Sequence, residues 1–267
     1  MVFTRSTGAV LGTAIDVTTY ASTCDRIFEL ASTREGSYVC FATAHMLVEA
    51  TRNRSIDRAY REAAQVNPDG TPVAWSLRLM GHSGADCVSG PRMVPRLLEK
   101  AEAFGVAVGF YGGRPETLRL MMNVLSRNYP KLHVGYVQSP PFRPLSAAEQ
   151  QKDLDDITAS GIKLLFIGLG SPKQEVWMNQ YSASLNCVCL GVGAAFEFLS
   201  GEKVMPPEWV QKMGLAWLVR LCQEPRRLAR RNLYSPVFAA MFFRQLITGF
   251  TFGFGSPGGV VSESEGE

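Results

Sequence analysis

The sequence predicts an α/β fold: a mainly parallel sheet with helices on both faces, followed by a C-terminal helical appendage suited to membrane binding. Three observations predict it. Short apolar runs rich in β-formers alternate with segments of helical period as far as Gly201. Several of those runs stop on glycine, as strands do when they empty into tight turns before a helix. After Gly201 the pattern breaks at Met205-Pro206-Pro207, and a basic, aromatic-rich stretch follows.

The elements follow in order. Tyr38–Thr43 (YVCFAT) reads as a buried strand and Met46–Ala64 as one helix. Ala64–Val66 leads into a turn over Asn67-Pro68-Asp69-Gly70. Val73–Met80 and Met93–Phe104 have helical spacing, and Val106–Tyr111 is a strand closing on Gly112-Gly113. Pro115 opens a helix to about Asn128, since proline suits the first helical position. Leu132–Val137 is the next strand. Ser146 and Glu149 form a capping-box pattern that opens a helix to Ser160. Lys163–Ile167 and Cys187–Gly191 complete the strands. In the appendage, Glu208–Leu221 reads as an amphipathic helix, Pro225 starts another, and Val237–Phe250 is an aromatic-rich helical segment. Three regions result: a catalytic domain over 1–201, the appendage over 202–254, and a small acidic tail over 255–267 expected to be disordered.

Composition narrows the function. Hydrophobic residues make up 46% and charged residues 19%, which fits a globular α/β protein and leaves no apolar run long enough for a membrane span. The net charge is a mild +3, and no nucleic-acid partner is expected. Charge is unevenly spread, however: from Lys203 to Phe250 eight Lys/Arg face two Glu, so an anionic partner is expected there. The six cysteines form no CxxC pair and several sit in apolar runs, which suggests reduced thiols. Three scattered histidines offer no HExxH, and the amino terminus has no signal-peptide core.

GLGSPKQEVW (168–177) is the most informative motif. A buried strand, a Gly-rich turn and a helix start can hold a phosphate, because glycine admits close backbone approach and a helix N-terminus carries positive dipole. Gly168 and Gly170 supply the turn, Lys173 adds a charge, and Gln174 adds a polar group suited to a sugar or base. The bland alternative is a tight connection. Asp69 is either a turn former or a carboxylate held at the rim of the sheet as a base. Arg220, Arg227 and Arg230, spaced by seven and three, can share a helical face and bind a diphosphate; a solvated basic face near lipid headgroups is the alternative. Val237–Phe250 suits core or a membrane interface, with its basic flank favouring the interface. Asp153-Leu154-Asp155 has the metal-binding DxD pattern but reads as a solvated helix face, and no metal site is expected. A strand-end GxGxxG of the dinucleotide type is missing after the first strand, which argues against an NAD-dependent oxidoreductase.

Taken together, ATAHMLVEA (42–50), PDG (68–70), YGGRPE (111–116), GLGSPKQEVW (168–177), GVGAAFEFLSG (191–201) and GLAWLVRLCQEPRRLARR (214–231) resemble, in order, the bacterial glycosyltransferases of the WecG/TagA/CpsF type. The resemblance runs from about Tyr38 to Phe243. It implies a Rossmann-like catalytic domain and inverting transfer of a sugar from a UDP-sugar to a lipid-linked (polyprenyl-diphosphate) saccharide. It implies a peripheral enzyme at the cytoplasmic face of an anionic membrane, without metal or cofactor beyond the donor. By the same resemblance Asp69 matches the family's base and Thr43 lines its pocket. His45, Gly112, Gly113, Gly168, Gly170, Lys173, Gln174 and Glu197 fall in the nucleotide-sugar region, and Arg220, Arg227 and Arg230 match arginines that close over the diphosphate. His45 stands where the family usually has Asn, Cys87 where Arg is common, and Arg92 where Asp is common. The donor is therefore left open between N-acetylmannosamine, glucose and other hexoses. Two further alternatives stand: a non-catalytic nucleotide-sugar-binding scaffold, and a homo-oligomer that covers the apolar appendage.

Overall fold

A computed structural model describes residues 5–33, 35–207, 210, 219 and 234–249. Arg220, Arg227, Arg230, the helices expected over Glu208–Leu221 and after Pro225, and the tail lie outside the described residues.

The chain opens with a hairpin absent from the sequence expectation. Strands β1 (Thr7–Val10) and β2 (Thr13–Asp16) pair antiparallel around Leu11-Gly12, both at positive φ of 50° and 84°. A two-residue turn with both centres left-handed matches the twist of a hairpin. Leucine is a costly residue there, and its burial offsets the strain. Helix α1 (Tyr20–Ser32) follows, with Thr19 and Ser22 forming a capping box. That helix also escaped the sequence reading, because its first turn is Thr/Ser-rich and its apolar stripe is thin.

Six parallel strands form the sheet, in the order β4-β3-β8-β7-β5-β6. They are β3 (Ser37–Ala42), β4 (Gln65–Pro68), β5 (Val108–Gly112), β6 (Val134–Gln138), β7 (Leu164–Gly168) and β8 (Val188–Gly191). The expected parallel sheet is thus observed. One boundary is corrected: Gln65–Pro68, expected as the approach to a turn, is an edge strand paired with Val39–Ala42, and only Asp69-Gly70 turns. A proline is tolerated at the end of an edge strand, where its missing N–H breaks no inner ladder.

Side chains alternate between two cores, as the pleat requires. On one face, Val39, Phe41, Phe110, Phe166 and Leu190 meet α1, α5 (Gly90–Phe104), α6 (Pro115–Asn128) and α9 (Ala195–Leu199). On the other, Cys40, Ala42, Tyr111, Leu165 and Cys189 meet α2 (Ala44–Ala50), α3 (Arg54–Arg61), α4 (Thr71–Leu79), α7 (Ala147–Ala159) and α8 (Lys173–Tyr181). The single helix expected over Met46–Ala64 is two, because Asn53 caps a new start through Ser55 N–H at 3.0 Å. The Ser146/Glu149 capping box is present as read.

Helix α10 (Tyr234–Thr248) covers the second face. Phe238 and Phe242 are buried in that core, and Gln245 accepts from Leu11 N–H at 2.8 Å and donates to Ala9 carbonyl at 2.6 Å. The Val237–Phe250 segment therefore serves as core on its inner side, while Phe243, Leu246 and Ile247 face outward. Among the described residues, no helix is long and apolar enough to cross a membrane.

Candidate active site

Parallel strands bring their carboxyl ends to one rim, where ligands of such sheets bind. Asp69, Thr43, Gly191, Gly168 and Gly112 stand there, at the ends of β4, β3, β8, β7 and β5. The strand order sets Asp69 three strand spacings from Gly168, about 14 Å along the rim.

The β5–β7 part of the rim is built of main chain. Gly113 N–H donates to Gly168 carbonyl at 3.1 Å, closing the two turns on each other. Gly112, at φ +115°, has no room for a side chain: a Cβ would sit 2.6 Å from the Gly168 carbonyl carbon. At Gly168 a Cβ would meet the Phe196 ring at 2.5 Å. Two adjoining cavities flank this contact. One, of about 240 Å³, is lined by Gly113, Arg114, Gly168, Gly170, Gly193 and Glu197. The other, of about 320 Å³, is lined by Gly112, Gly113, Phe142, Leu169, Lys173 and Trp177 among others. Lys173 is exposed at the start of α8, and Glu197 pairs with Lys203 at 2.8 Å.

Gln174 faces inward. Its amide nitrogen donates to Gly191 carbonyl at 2.9 Å and its amide oxygen accepts from Gly193 N–H at 3.1 Å. The side chain is only 2% exposed, so it ties the β7 turn to the β8 turn. Glu175, fully buried, accepts from the Ser171 hydroxyl at 2.7 Å and from Gln174 at 3.1 Å. A carboxylate thus already sits in the first turn of α8, where the helix dipole favours an anion. The N–H of Gln174 is also taken, by Gly170 carbonyl at 3.0 Å. The helix N-terminus is therefore less open to a phosphate than the motif suggested, and the exposed cations lining the cavities are Lys173, Arg114, which pairs with Glu202, and Arg143, which pairs with Glu149.

The β4–β3 part of the rim presents side chains. Asp69 is half-buried, with its N–H donating to Ala42 carbonyl at 3.0 Å. Thr43 caps α2, its hydroxyl accepting from Met46 N–H at 3.4 Å. His45, in the first turn of α2, packs edge-on against Tyr234 of α10 with ring centroids 4.4 Å apart. Cys87 lies beside the turn, and its thiol is pushed up to about 12 by burial first and by the Asp69 charge second, so it is not a thiolate nucleophile at neutral pH. Arg92, from the first turns of α5, donates to Pro206 carbonyl at 2.6 Å and so contacts the start of the appendage.

Sequence reasoning missed Tyr20 and Ser89. Ser89 N–H donates to the Tyr20 hydroxyl at 3.1 Å, and Arg96 lies 4.4 Å over the Tyr20 ring. Burial raises the Tyr20 hydroxyl, and the Asp69 charge acts in the same direction. No sequence signal joined these residues, because Tyr20 lies on the unassigned α1. The DxD reading is corrected in half: Asp153 is buried and accepts from the Tyr111 hydroxyl at 2.8 Å, while Asp155 is exposed. Among the described residues no three His, Cys, Asp or Glu gather as a metal site.

These features define a doubly wound α/β protein whose ligand cavities lie at the carboxyl rim of a parallel sheet. The chain belongs to the glycosyl transferase WecG/TagA/CpsF family, whose model matches residues 9–251. It is 26% identical over 210 residues to an N-acetylglucosaminyldiphosphoundecaprenol N-acetyl-beta-D-mannosaminyltransferase of Bacillus spizizenii, a match covering 76% of this chain and 77% of that protein.

Proposed function

We propose that this protein is an inverting, UDP-sugar-dependent hexosyltransferase that glycosylates a polyprenyl-diphosphate-linked saccharide in bacterial surface or exopolysaccharide synthesis. The observation that carries the proposal is the common rim: in a chain of this family, the Asp69 carboxylate and two glycine-walled cavities lie along one edge of one sheet. The relative's printed acceptor, a diphosphoundecaprenol-linked sugar, supports the lipid-linked part.

The chemistry assigns each group a task. Asp69 takes the proton of the acceptor hydroxyl as that oxygen attacks C1 of the donor sugar. The C1–O bond to UDP breaks on the opposite face, which inverts the anomeric centre. The diphosphate gains negative charge as it leaves, and Arg220, Arg227 and Arg230 of the appendage stabilise it without a divalent ion or other cofactor. Thr43 and His45 border the sugar. Lys173, the glycines of the two cavities and Glu197 border the nucleotide, with Gln174 holding the turn. Residues 1–201 form the catalytic domain, and residues 202–254 the appendage that docks on an anionic membrane from its cytoplasmic side. Closure of the appendage excludes water and limits donor hydrolysis.

The test is incubation of the intact protein with a panel of radiolabelled UDP-hexoses and native membrane lipids. Label should enter a diphosphate-linked lipid from one donor, in the presence of EDTA. Tight UDP binding with no transfer from any donor would instead mark a nucleotide-sugar-binding scaffold, the reading that the His45, Cys87 and Arg92 departures motivate.

A further inference from the structure

Asp69 follows β4, the four-residue edge of the sheet, which pairs within it with β3 alone. The last residue of that strand is Pro68, which has no N–H to give to a ladder. Backbone pairing therefore holds the end of β4 from one side only. A general base has to stand within about 0.5 Å of its working geometry. Side chains at the start of helix α1 reach this strand end by two routes.

The first route is a buried polar network. Asn67 and Thr23 are fully buried, and Gln65 nearly so. The Asn67 amide oxygen accepts from the Thr23 hydroxyl at 2.9 Å and from the Gln65 amide nitrogen at 2.8 Å. The Asn67 amide nitrogen donates to the Cys40 carbonyl of β3 at 3.2 Å. Thr18, just before α1, brings its hydroxyl to 2.8 Å from that of Thr23. Asn67 stands in register with Phe41, so it lies on the face whose core is built by Ile27, Val39 and Phe41. Apolar side chains there would avoid the cost of burying amides. Gln65 Oε1 is buried with no hydrogen-bond partner among the described residues, which adds to that cost. Stability alone does not account for polar residues at this place, whereas fixing the direction of β4 does.

The second route runs through the segment between α4 and α5. Asp86 N–H donates to the Thr18 carbonyl at 2.9 Å, and Ser89 N–H donates to the Tyr20 hydroxyl at 3.1 Å. Between them, Val88 N–H donates at 2.9 Å to the Pro68 carbonyl, in the peptide that enters Asp69. Besides burial, which is the larger cause, the Asp69 charge raises both the Tyr20 hydroxyl and the Cys87 thiol, so the three groups share one neighbourhood.

We propose that the start of α1 is the positioning element for the base: Thr23 through Asn67, and Tyr20 through the 86–89 segment, fix where the Asp69 carboxylate stands. Thr23 and Tyr20 are positioning residues, with no task at the substrate. This inference rests on Asp69 as the base of the proposed function.

The experiment uses the full chain, the competent UDP-hexose and native membrane lipids. Thr23→Val keeps the shape and loses the hydroxyl, Thr23→Ser keeps the hydroxyl, and Tyr20→Phe removes the group that holds Ser89. Thr23→Val and Tyr20→Phe should each lower kcat about tenfold, less than the roughly hundredfold of a 1 Å misplacement, with the donor KM and UDP affinity unchanged. Thr23→Ser should restore kcat. The deciding readout is the same pair of substitutions made in Asp69→Asn, followed by single-turnover transfer. No further loss is expected there, because residues that act through one carboxylate are not additive with its removal. A further tenfold loss in that background would overturn the inference, since general loosening of the fold multiplies with any other defect. Unchanged kcat in both single variants would overturn it as well. Should Thr23→Val fail to fold, the partly exposed Tyr20 carries the test by itself. Full transfer by Asp69→Asn alone would defeat the base assignment and the inference with it. A slowed Asp69→Asn beside unaffected Thr23→Val and Tyr20→Phe would defeat the positioning role only.

Discussion

The two halves of the sheet rim are made differently. At the ends of β5, β7 and β8 the wall is main chain held by glycines and by the inward-facing Gln174. At the ends of β4 and β3 the rim displays the side chains of Asp69, half-buried, and Thr43, which caps α2. Change in the first half should therefore be felt as lost stability. Change at Asp69 in the second should be felt as lost chemistry. The two kinds of damage are separable by measuring a melt and a rate on the same variant.

The largest effect is expected at Asp69. Asp69→Asn should lower transfer by about a thousandfold, the middle of the range for a lost general base, while the melting temperature stays put. A fall in melting temperature would move Asp69 into the structural half and blur the distinction. Next comes Gly112→Ala, which should cost about 3–5 kcal/mol in denaturant unfolding, because φ is positive and the Gly168 main chain cannot retreat. A near-neutral result there would mean the wall is soft. Gln174→Ala should cost about 2–3 kcal/mol, as it leaves the Gly191 and Gly193 main-chain groups without their buried partner. Were its stability unchanged and only the UDP affinity reduced, Gln174 would belong with the ligand-facing residues. Thr43→Ala is the smallest, at about 1 kcal/mol for the lost cap of α2. Thr43→Ser should restore that stability, so any transfer defect it retains would sharpen the case for a role at the sugar.

What the sequence made legible follows from where the signal is stored. Strands β3, β5, β7 and β8 are continuous apolar runs ending at a glycine or a helix cap, and their order along the chain implies parallel pairing. The hairpin β1–β2 and the edge strand β4 are four residues each and include glycine, threonine, asparagine or proline, so no periodicity marks them. In the site, the glycines and Asp69 could be assigned to the rim because strand ends define it. The direction of a side chain could not. Gln174 was read as a ligand group, yet its amide is spent on main chain, and only three-dimensional proximity of the β7 and β8 turns reveals that. The polar neighbours of Asp153 mark a solvated helix face, but Tyr111 arrives from β5 to cover it. Helix α10 shows the same limit: an apolar segment cannot state whether it faces a core or a membrane, and here the buried Phe238 and the exposed Ile247 share one helix.

The most direct test pairs calorimetric titration of UDP with single-turnover transfer from the competent UDP-hexose, on wild type and Asp69→Asn. UDP affinity within about twofold of wild type, together with a transfer rate about a thousandfold lower, is the predicted result. Transfer near the wild-type rate, or loss of UDP binding in step with the rate, would contradict a base that acts apart from the nucleotide cradle.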